Sequence, residues 1–186
     1  MKRLAMSLLL ALPFTLFAAE ATRTLKGVSL PEILALEGKT LALNGLGLRT
    51  KVVFKVYVGG LYLEKKSANG MEIAASEQYK RMELVFLRGV SGEDVAGAIT
   101  GGFEKNAGAG LAALKDRMEK FTKLIPDVKK GDSLVFTYRP GSGLEVQANG
   151  KKAGSIEGKD FSDTLFKVWL GEKPADKDLK AGLLGG

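Results

Sequence analysis

The sequence predicts an α+β fold in which a large antiparallel sheet carries a layer of helices on one face. Two observations lead to this prediction. The candidate strands come in runs separated by a run of candidate helices, whereas a parallel sheet needs strands and helices to alternate. In addition, Asn149-Gly150 is a strong signal for a two-residue hairpin, which joins antiparallel neighbours. The 186 residues, 45% hydrophobic and 26% charged, suit one globular domain.

The first 21 residues differ from the rest of the chain. A basic start, Lys2-Arg3, precedes an almost wholly apolar run over residues 4–17 and then small residues. This order is typical of a secretory signal peptide, and the apolar run is too short to span a bilayer. Cleavage after Ala19 or after Ala21 fits the pattern equally well. We therefore predict an exported, periplasmic domain over residues 22–186 with no transmembrane segment; an uncleaved N-terminal anchor is the alternative.

The first part of the mature chain predicts three strands. Over residues 39–66, apolar residues roughly alternate with polar ones, which indicates two long strands interrupted by glycines. Glycines within strands indicate bends, bulges or a close approach by another element, because they carry no side chain. A short helix over residues 71–75 and a third strand over residues 81–87 follow.

The middle of the chain is predicted to be helical. Ser91 and Asp94 resemble a capping box at the start of a helix over residues 92–106. Residues 111–124 follow with apolar side chains at spacings of three and four, which is typical of an amphipathic helix packed on a sheet.

After Pro126 the pattern returns to strands and ends in helices. A three-stranded meander is predicted over residues 133–138, 144–148 and 151–156. Asp160 or Ser162 is expected to cap the next helix, which ends at Gly171. A last helix is predicted over residues 176–184, and the acidic residues at its start are explained by capping without any catalytic role.

The composition excludes several kinds of chemistry. The chain has no histidine and no cysteine, so zinc sites, thiol nucleophiles and imidazole bases are excluded, and we expect no metal and no cofactor. Any catalysis must use Arg, Lys, Tyr, Ser, Thr or carboxylates. The net charge of +7 becomes +6 once the signal peptide is removed. Because the basic residues come as scattered pairs mixed with acids, we expect no nucleic-acid partner.

Arg49 is the strongest candidate for a functional residue. It follows apolar and glycine residues and lies immediately before a largely hydrophobic strand. A buried cation without a partner is costly, so Arg49 either reaches the surface, joins a structural ion pair, or meets an anionic ligand in the interior. On spacing alone the first two are favoured. Tyr57 and Tyr62 on the next strand could add hydroxyl donors, although most strand aromatics are core residues.

Two motifs carry a resemblance to a known family. They are Gly-x-Gly-x-Arg, ending at Arg49, and Lys-Val-Tyr-x-x-Gly-x-Tyr-Leu, beginning at Lys55. With residues 101–106, 131–132 and 169–171, they resemble the chalcone isomerase family, and more closely its exported bacterial chalcone isomerase-like branch. The resemblance covers nearly all of the mature chain. It implies an antiparallel sheet, a helical layer and a lipophilic cleft between them.

The resemblance leaves an enzymatic function open. In the plant enzymes a phenolate adds intramolecularly to an enone, and the arginine that Arg49 matches stabilises the charge developing at the carbonyl. Tyr57 stands where these enzymes carry a threonine, and Val168 stands where they carry Ser or Thr. Their catalytic tyrosine has no convincing counterpart. A cofactor-independent intramolecular lyase using Arg49 is therefore the alternative function.

The fatty-acid-binding members of the family resemble this sequence better at the site. They pair the same arginine with a tyrosine on the following strand, and Arg49 with Tyr57 fits that pattern. The resemblance thus implies that Arg49 and Tyr57 bind a small lipophilic carboxylate, or a polyphenol-like ligand, without turnover. Tyr62 is a further candidate ligand-binding residue because it lies on the same strand as Tyr57. This interpretation depends on an inward-facing Arg49 that is neither exposed to solvent nor neutralised by an acid of the same chain. A structural or assembly role with a vestigial, filled cleft is the third possibility, and the oligomeric state is left open.

Overall fold

The computed structural model describes residues 21–186. The predicted signal peptide, residues 1–21, lies outside the described residues except for Ala21, so its cleavage and the exported location remain predictions. Within the described part of the chain, no helix combines the length and the apolar character needed to cross a membrane.

The strands form one large sheet and one small hairpin. Residues 21–186 contain β1 (Thr22–Leu25), β2 (Val28–Pro31), β3 (Ile33–Leu36), β4 (Lys39–Lys51), β5 (Phe54–Leu63), β6 (Lys80–Phe86), β7 (Ser133–Arg139), β8 (Gly143–Ala148) and β9 (Lys151–Ile156). Strands β3 to β9 form an antiparallel sheet in that spatial order, so each strand pairs with its neighbours in the sequence. Strands β1 and β2 pair only with each other.

The helices connect the middle strands and follow the last one. They are α1 (Gly70–Ala75), α2 (Gly92–Asn106), α3 (Leu111–Thr122), α4 (Lys159–Leu170) and α5 (Lys177–Leu183), with a short 3-10 helix at Gly108–Gly110. Helix α1 lies between β5 and β6, α2 and α3 lie between β6 and β7, and α4 and α5 follow β9. The predicted α+β fold, an antiparallel sheet with a helical layer, is confirmed.

Three short strands at the start of the domain, β1 to β3, were not predicted. Two-residue turns follow β1 and β3, at Lys26-Gly27 and Glu37-Gly38, and both residues of each turn have positive φ. Asn149-Gly150, the turn that the sequence did predict, has the same geometry. This turn type favours Asn or Asp at its first position, so lysine and glutamate there conceal the signal.

The start of α4 differs from the prediction. Its N-cap residue is Gly158, with φ of +96°, and no side chain caps the first turn. Asp160 instead forms an ion pair with Arg117, whose Nη1 donates to Oδ1 at 2.7 Å. The Ser162 hydroxyl donates to the carbonyl oxygen of Gly158 at 3.3 Å. The side chains of Asp160 and Ser162 therefore have other partners. Gly158 adopts the positive φ at which α4 begins, a conformation that glycine accepts readily.

The two faces of the large sheet pack against different elements. On the helical face, side chains of β5 to β9 form the main core with the helices; this face includes Leu61, Met82, Leu84, Phe86, Phe136 and Val146. On the hairpin face, a second core includes Leu41, Leu43, Leu46, Val58 and Tyr62 together with Leu30 from β2. The helical layer therefore covers one face, as predicted, and the unpredicted β1–β2 hairpin contributes to the other.

A bulge at Asn44 decides which β4 side chains face the helices. The pairing with β5 passes from Leu43 directly to Gly45, so the alternation along β4 shifts by one residue. The residues on the hairpin face are Leu41 and Leu43 before the bulge and Leu46 and Leu48 after it. The helical face consequently receives Gly45, Gly47 and Arg49. The Asn44 side chain has its own partners, since Nδ2 donates to the carbonyl oxygen of Leu183 at 2.8 Å.

Helix α5 packs directly on the backbone of β4. A Cβ atom at Gly45 would overlap the carbonyl oxygen of Gly182, and one at Gly47 would overlap that of Leu179. The predicted close approach at these glycines is therefore present. It places the start of α5 beside the end of β4.

One lysine, Lys80, is completely buried at the start of β6. Its Nζ donates to the carbonyl oxygens of Ala74 at 2.6 Å and Ser76 at 3.0 Å, and it lies 3.4 Å from the Asp163 carboxylate. Nζ also lies 4.6 Å from the centre of the Tyr138 ring. Burial lowers the pKa of Lys80 to about 8, and Asp163 opposes only part of this change.

We expect the free energy of unfolding to rise with pH above about 8 because of Lys80. Between its folded pKa of about 8 and the ordinary 10.5, the unfolded chain still holds a proton that the folded protein has released. The rise is at most about 1.4 kcal/mol per pH unit. It should be absent in Lys80→Met. Urea unfolding of both proteins at several values between about pH 7.5 and 9.5 measures the difference, and parallel pH profiles would contradict this assignment.

Candidate functional site

A cavity of about 730 Å³ lies between one end of the sheet and helices α2 and α4. The apolar part of its lining includes Val56, Leu84, Phe86, Ile99, Val168 and Trp169. The volume falls within the range of small-molecule sites. The cleft that the resemblance implied is therefore present, and core side chains do not fill it as a vestigial cleft would require.

Helix α2 makes room for the cavity with small residues. Gly97, Ala98, Gly101 and Gly102 all contribute to the lining. A Cβ atom at Gly97 or Gly101 would meet nothing within 4 Å. Gly97 and Ala98 were not predicted to have a role, and Gly101 and Gly102 contributed only to the resemblance to the family. Small residues at spacings of three and four, on a helix expected to pack on a sheet, are a signal that could have predicted an open space.

Arg49 lines the cavity at the end of β4, directly opposite Tyr57 in β5. Its Nη1 donates to the carboxylate of Asp176 at 3.1 Å and to the carbonyl oxygen of Thr50 at 2.8 Å. The expectation that no acid of the same chain neutralises Arg49 is therefore wrong, because the packing of α5 on β4 brings Asp176 beside it. Within residues 21–186, Nη1 is the only guanidinium nitrogen of Arg49 that donates to a protein group, so Nε and Nη2 remain available.

Asp176 links the end of β4 to the start of α5. Oδ1 accepts hydrogen bonds from the backbone amides of Asp178 and Leu179, which caps the helix as predicted. Oδ2 accepts from Arg49 and from the backbone amide of Thr50 at 3.2 Å. Burial raises the pKa of Asp176, but these hydrogen bonds outweigh it and hold the pKa below its ordinary value. The sequence indicated the cap, whereas the ion pair depends on the fold.

Tyr57 presents a neutral hydroxyl at the cavity. Trp169 donates its indole N–H to the Tyr57 hydroxyl oxygen at 3.0 Å, and the Tyr57 ring packs edge-on against Phe86. Burial raises the pKa of Tyr57 to about 12, so the phenol keeps its proton at neutral pH. Because an indole can only donate, the Tyr57 proton needs another acceptor, and the described residues supply none. Trp169 was part of the resemblance to the family, but it was not predicted to contact Tyr57.

Tyr62 does not join Arg49 and Tyr57. It is completely buried on the hairpin face, and its hydroxyl donates to the carbonyl oxygen of Pro31 at 2.9 Å. Residues 57 and 62 are five apart on a regular strand, so their side chains point to opposite faces. Tyr62 therefore fixes the β1–β2 hairpin to the sheet instead of lining the cavity.

The charged residues around the cavity are mostly cationic. The lining includes the cations Arg49, Lys51, Arg88, Lys105 and Lys173 and a single carboxylate, that of Asp94. The Asp94 carboxylate accepts a hydrogen bond from the Ser91 hydroxyl at 2.7 Å. The cavity thus favours a ligand that carries a negative charge.

Structural comparison identifies the fold of this domain. A fatty-acid binding protein of Arabidopsis thaliana superposes with a TM-score of 0.74 at 18% sequence identity, over 88% of this chain and 96% of that chain. At this identity the likeness establishes the shared fold.

Sequence comparison identifies the family. The profile of the family described as Chalcone isomerase-like matches residues 22–185, and the chain belongs to that family. A search of curated proteins found no match.

Proposed function

We propose that this protein is an exported binding protein that holds a small lipophilic carboxylate, such as a fatty acid, without converting it. The observation that carries the proposal is the lining of the cavity, where apolar side chains surround the space and four cations besides the paired Arg49 accompany one carboxylate. This lining suits a molecule with one anionic group and a long apolar part. The fatty-acid binding protein with the same fold supports this class of ligand.

Arg49 and Tyr57 are proposed to hold the carboxylate. They are direct partners on adjacent antiparallel strands, so their side chains leave the same face of the sheet side by side. Arg49 can donate from Nε and Nη2, and Tyr57 can donate its hydroxyl proton. Hydrogen bonds from a guanidinium to a carboxylate are about twice as strong as those between neutral groups. The Trp169 indole keeps the phenol in place.

The apolar tail is proposed to lie between the sheet and helices α2 and α4. Leu84 and Phe86 form the sheet side, while Ile99 and Val168 form the helix side. Each buried methylene contributes about 0.8 kcal/mol, so a tail of roughly ten carbons contributes about 8 kcal/mol. That is close to the free energy of a micromolar complex, and the contacts of the carboxylate offset the costs of association.

The carboxylate contact can be tested with a fatty acid and the alcohol of equal chain length. Arg49→Gln should weaken dodecanoate binding by about tenfold or more, since hydrogen bonds to charged groups contribute about 1.5–3 kcal/mol. Asp176→Asn should strengthen dodecanoate binding, because it removes the negative charge that competes for Arg49 while keeping a capping oxygen. Isothermal titration of both variants with dodecanoate and dodecanol measures these changes.

The alcohol and the double variant are the controls. Dodecanol affinity should stay the same in both single variants, because the alcohol has no charge for Arg49 to bind. The variant Arg49→Gln/Asp176→Asn should lose most of the preference for acid over alcohol, while the remaining cations of the lining keep a small part of it. Dodecanoate affinity that is unchanged in Arg49→Gln would refute the carboxylate contact. Formation of flavanone from a chalcone above the uncatalysed rate would instead favour the intramolecular lyase.

A further inference from the structure

The tip of the β4–β5 hairpin exposes three consecutive apolar side chains. Val52 is 88% exposed, Val53 77% and Phe54 56%. Lys51 pairs with Phe54, so Val52 and Val53 form the two-residue connection between the strands. Single exposed apolar residues are ordinary on protein surfaces, whereas a contiguous group indicates an interaction site.

The backbone at the tip does not explain why valine is present. Val52 has a φ of +57°, in the left-handed region that disfavours β-branched side chains and suits glycine or asparagine. Its side chain also makes little contact with the rest of the protein, because it is almost fully exposed. Neither local conformation nor core packing favours valine over a polar turn residue at this position.

The charged side chains of the tip itself are positive, and the Asp176 carboxylate beside Thr50 is paired with Arg49. Lys51 and Lys55 flank the apolar residues, and the guanidinium of Arg88 lies 4.6 Å from the centre of the Phe54 ring. From residue 38 to residue 63 the sequence contains no aspartate or glutamate. The tip therefore combines exposed apolar side chains with cations and has no acid in its own strands.

We propose that this tip, Lys51 to Lys55, inserts into the surface of an anionic phospholipid bilayer. Three side chains are too few for a stable protein interface, which buries at least about 1,000 Å². Peripheral attachment to a bilayer needs only shallow insertion of apolar groups and cations that face the anionic headgroups. The charge and the small size of the patch both fit the bilayer.

The position of the tip connects the attachment to the cavity. Lys51, Val52, Phe54 and Arg88 all line the cavity as well. Insertion of the tip therefore places this side of the cavity against the bilayer, where lipophilic carboxylates reside. The inference goes beyond the proposed function, since attachment to ligand-free vesicles does not require that the cavity bind a fatty acid.

A fluorescent label at the tip tests the insertion directly. The chain has no cysteine, so Val53→Cys in the full chain accepts one environment-sensitive fluorophore. With vesicles of phosphatidylglycerol and phosphatidylcholine, its emission should shift to shorter wavelength, and added salt should reverse the shift. The same label on Met71→Cys, another exposed apolar position, should not shift. Because the label reports its own surroundings, attachment through residues 1–20 would leave the Val53 label unchanged, and that result would overturn the proposal.

Vesicle flotation of variants supplies the second readout. Val52→Asn/Val53→Ser/Phe54→Ser and Lys51→Gln/Lys55→Gln should each bind anionic vesicles at least about tenfold more weakly than the unmodified protein. Lys151→Gln/Lys152→Gln removes the same charge from the exposed start of β9 and should bind as before. Unchanged flotation of the tip variant would refute the insertion. Self-association through the tip, detected by sedimentation without vesicles and lost in the tip variant, would also refute it in favour of a second copy of the chain.

Discussion

Gly47→Ala is expected to lower the free energy of unfolding by about 3 kcal/mol, the upper part of the range for an added group in a packed interior. The new Cβ would overlap the carbonyl oxygen of Leu179 and lie 2.8 Å from its Cδ1 atom. A backbone oxygen cannot rotate away as a flexible side chain can, so α5 would have to move from the sheet. Leu179 and Leu183, which are completely buried, would then lose their packing. Urea unfolding followed by circular dichroism measures the change.

Gly97→Ala is the matched control for this experiment. Gly97 lies within α2, and a Cβ there would meet nothing within 4 Å. Alanine is favoured over glycine in a helix by up to about 1 kcal/mol, so this variant should be as stable as the unmodified protein or more stable. If the two variants unfold at the same denaturant concentration, the close packing of α5 on β4 is wrong.

Ala98→Trp is expected to weaken fatty-acid binding by about a hundredfold or more. Ala98 lines the cavity from α2, and its side chain is exposed there. An indole at this position would occupy the space proposed for the tail. Loss of three or four buried methylenes, at about 0.8 kcal/mol each, corresponds to about 3 kcal/mol and hence to a hundredfold or more in affinity. Titration with dodecanoate measures the effect.

Ala112→Trp serves as its control, because Ala112 is an exposed residue of α3 that does not line the cavity. Both variants should unfold within about 1 kcal/mol of the unmodified protein, since the new side chain displaces no core residue in either case. Equal dodecanoate affinity in the Ala98 and Ala112 variants would place the ligand somewhere other than this cavity.

Most elements of the fold could be predicted because they depend on local patterns. The helix over residues 92–106 and its Ser91 cap are present as predicted, since the Ser91 hydroxyl accepts a hydrogen bond from the backbone amide of Asp94 within one turn. The Asp94 carboxylate accepts from that hydroxyl and not from an amide, so the capping box is only half formed. The meander around Asn149-Gly150 was also predictable, because this residue pair by itself favours a two-residue hairpin turn. The strands β1 to β3 could not be read in this way, because Lys26-Gly27 and Glu37-Gly38 adopt the same turn without its usual residues.

The candidate site was predictable only in part. Arg49 and Tyr57 line one cavity, as the resemblance implied. Tyr62 was assigned to the same site, although alternation along β5 places it on the opposite face. The ion pair between Arg49 and Asp176 spans 127 residues, so no local pattern could indicate it. Helix α5 brings the two groups together by packing on the glycines of β4.

The amino-acid sequence was enough to establish the order of strands and helices from residue 39 onward and the absence of histidine and thiol chemistry, which follow from residue types and short-range spacing. The family was established by the resemblance of longer motifs and of the whole domain. The direction in which Arg49 points, and the acid it meets, depend on a bulge at Asn44 and on the docking of α5. An extra residue in a strand moves every side chain beyond it to the opposite face of the sheet. This change can be recognised only when the residue-by-residue pairing of the two strands is known.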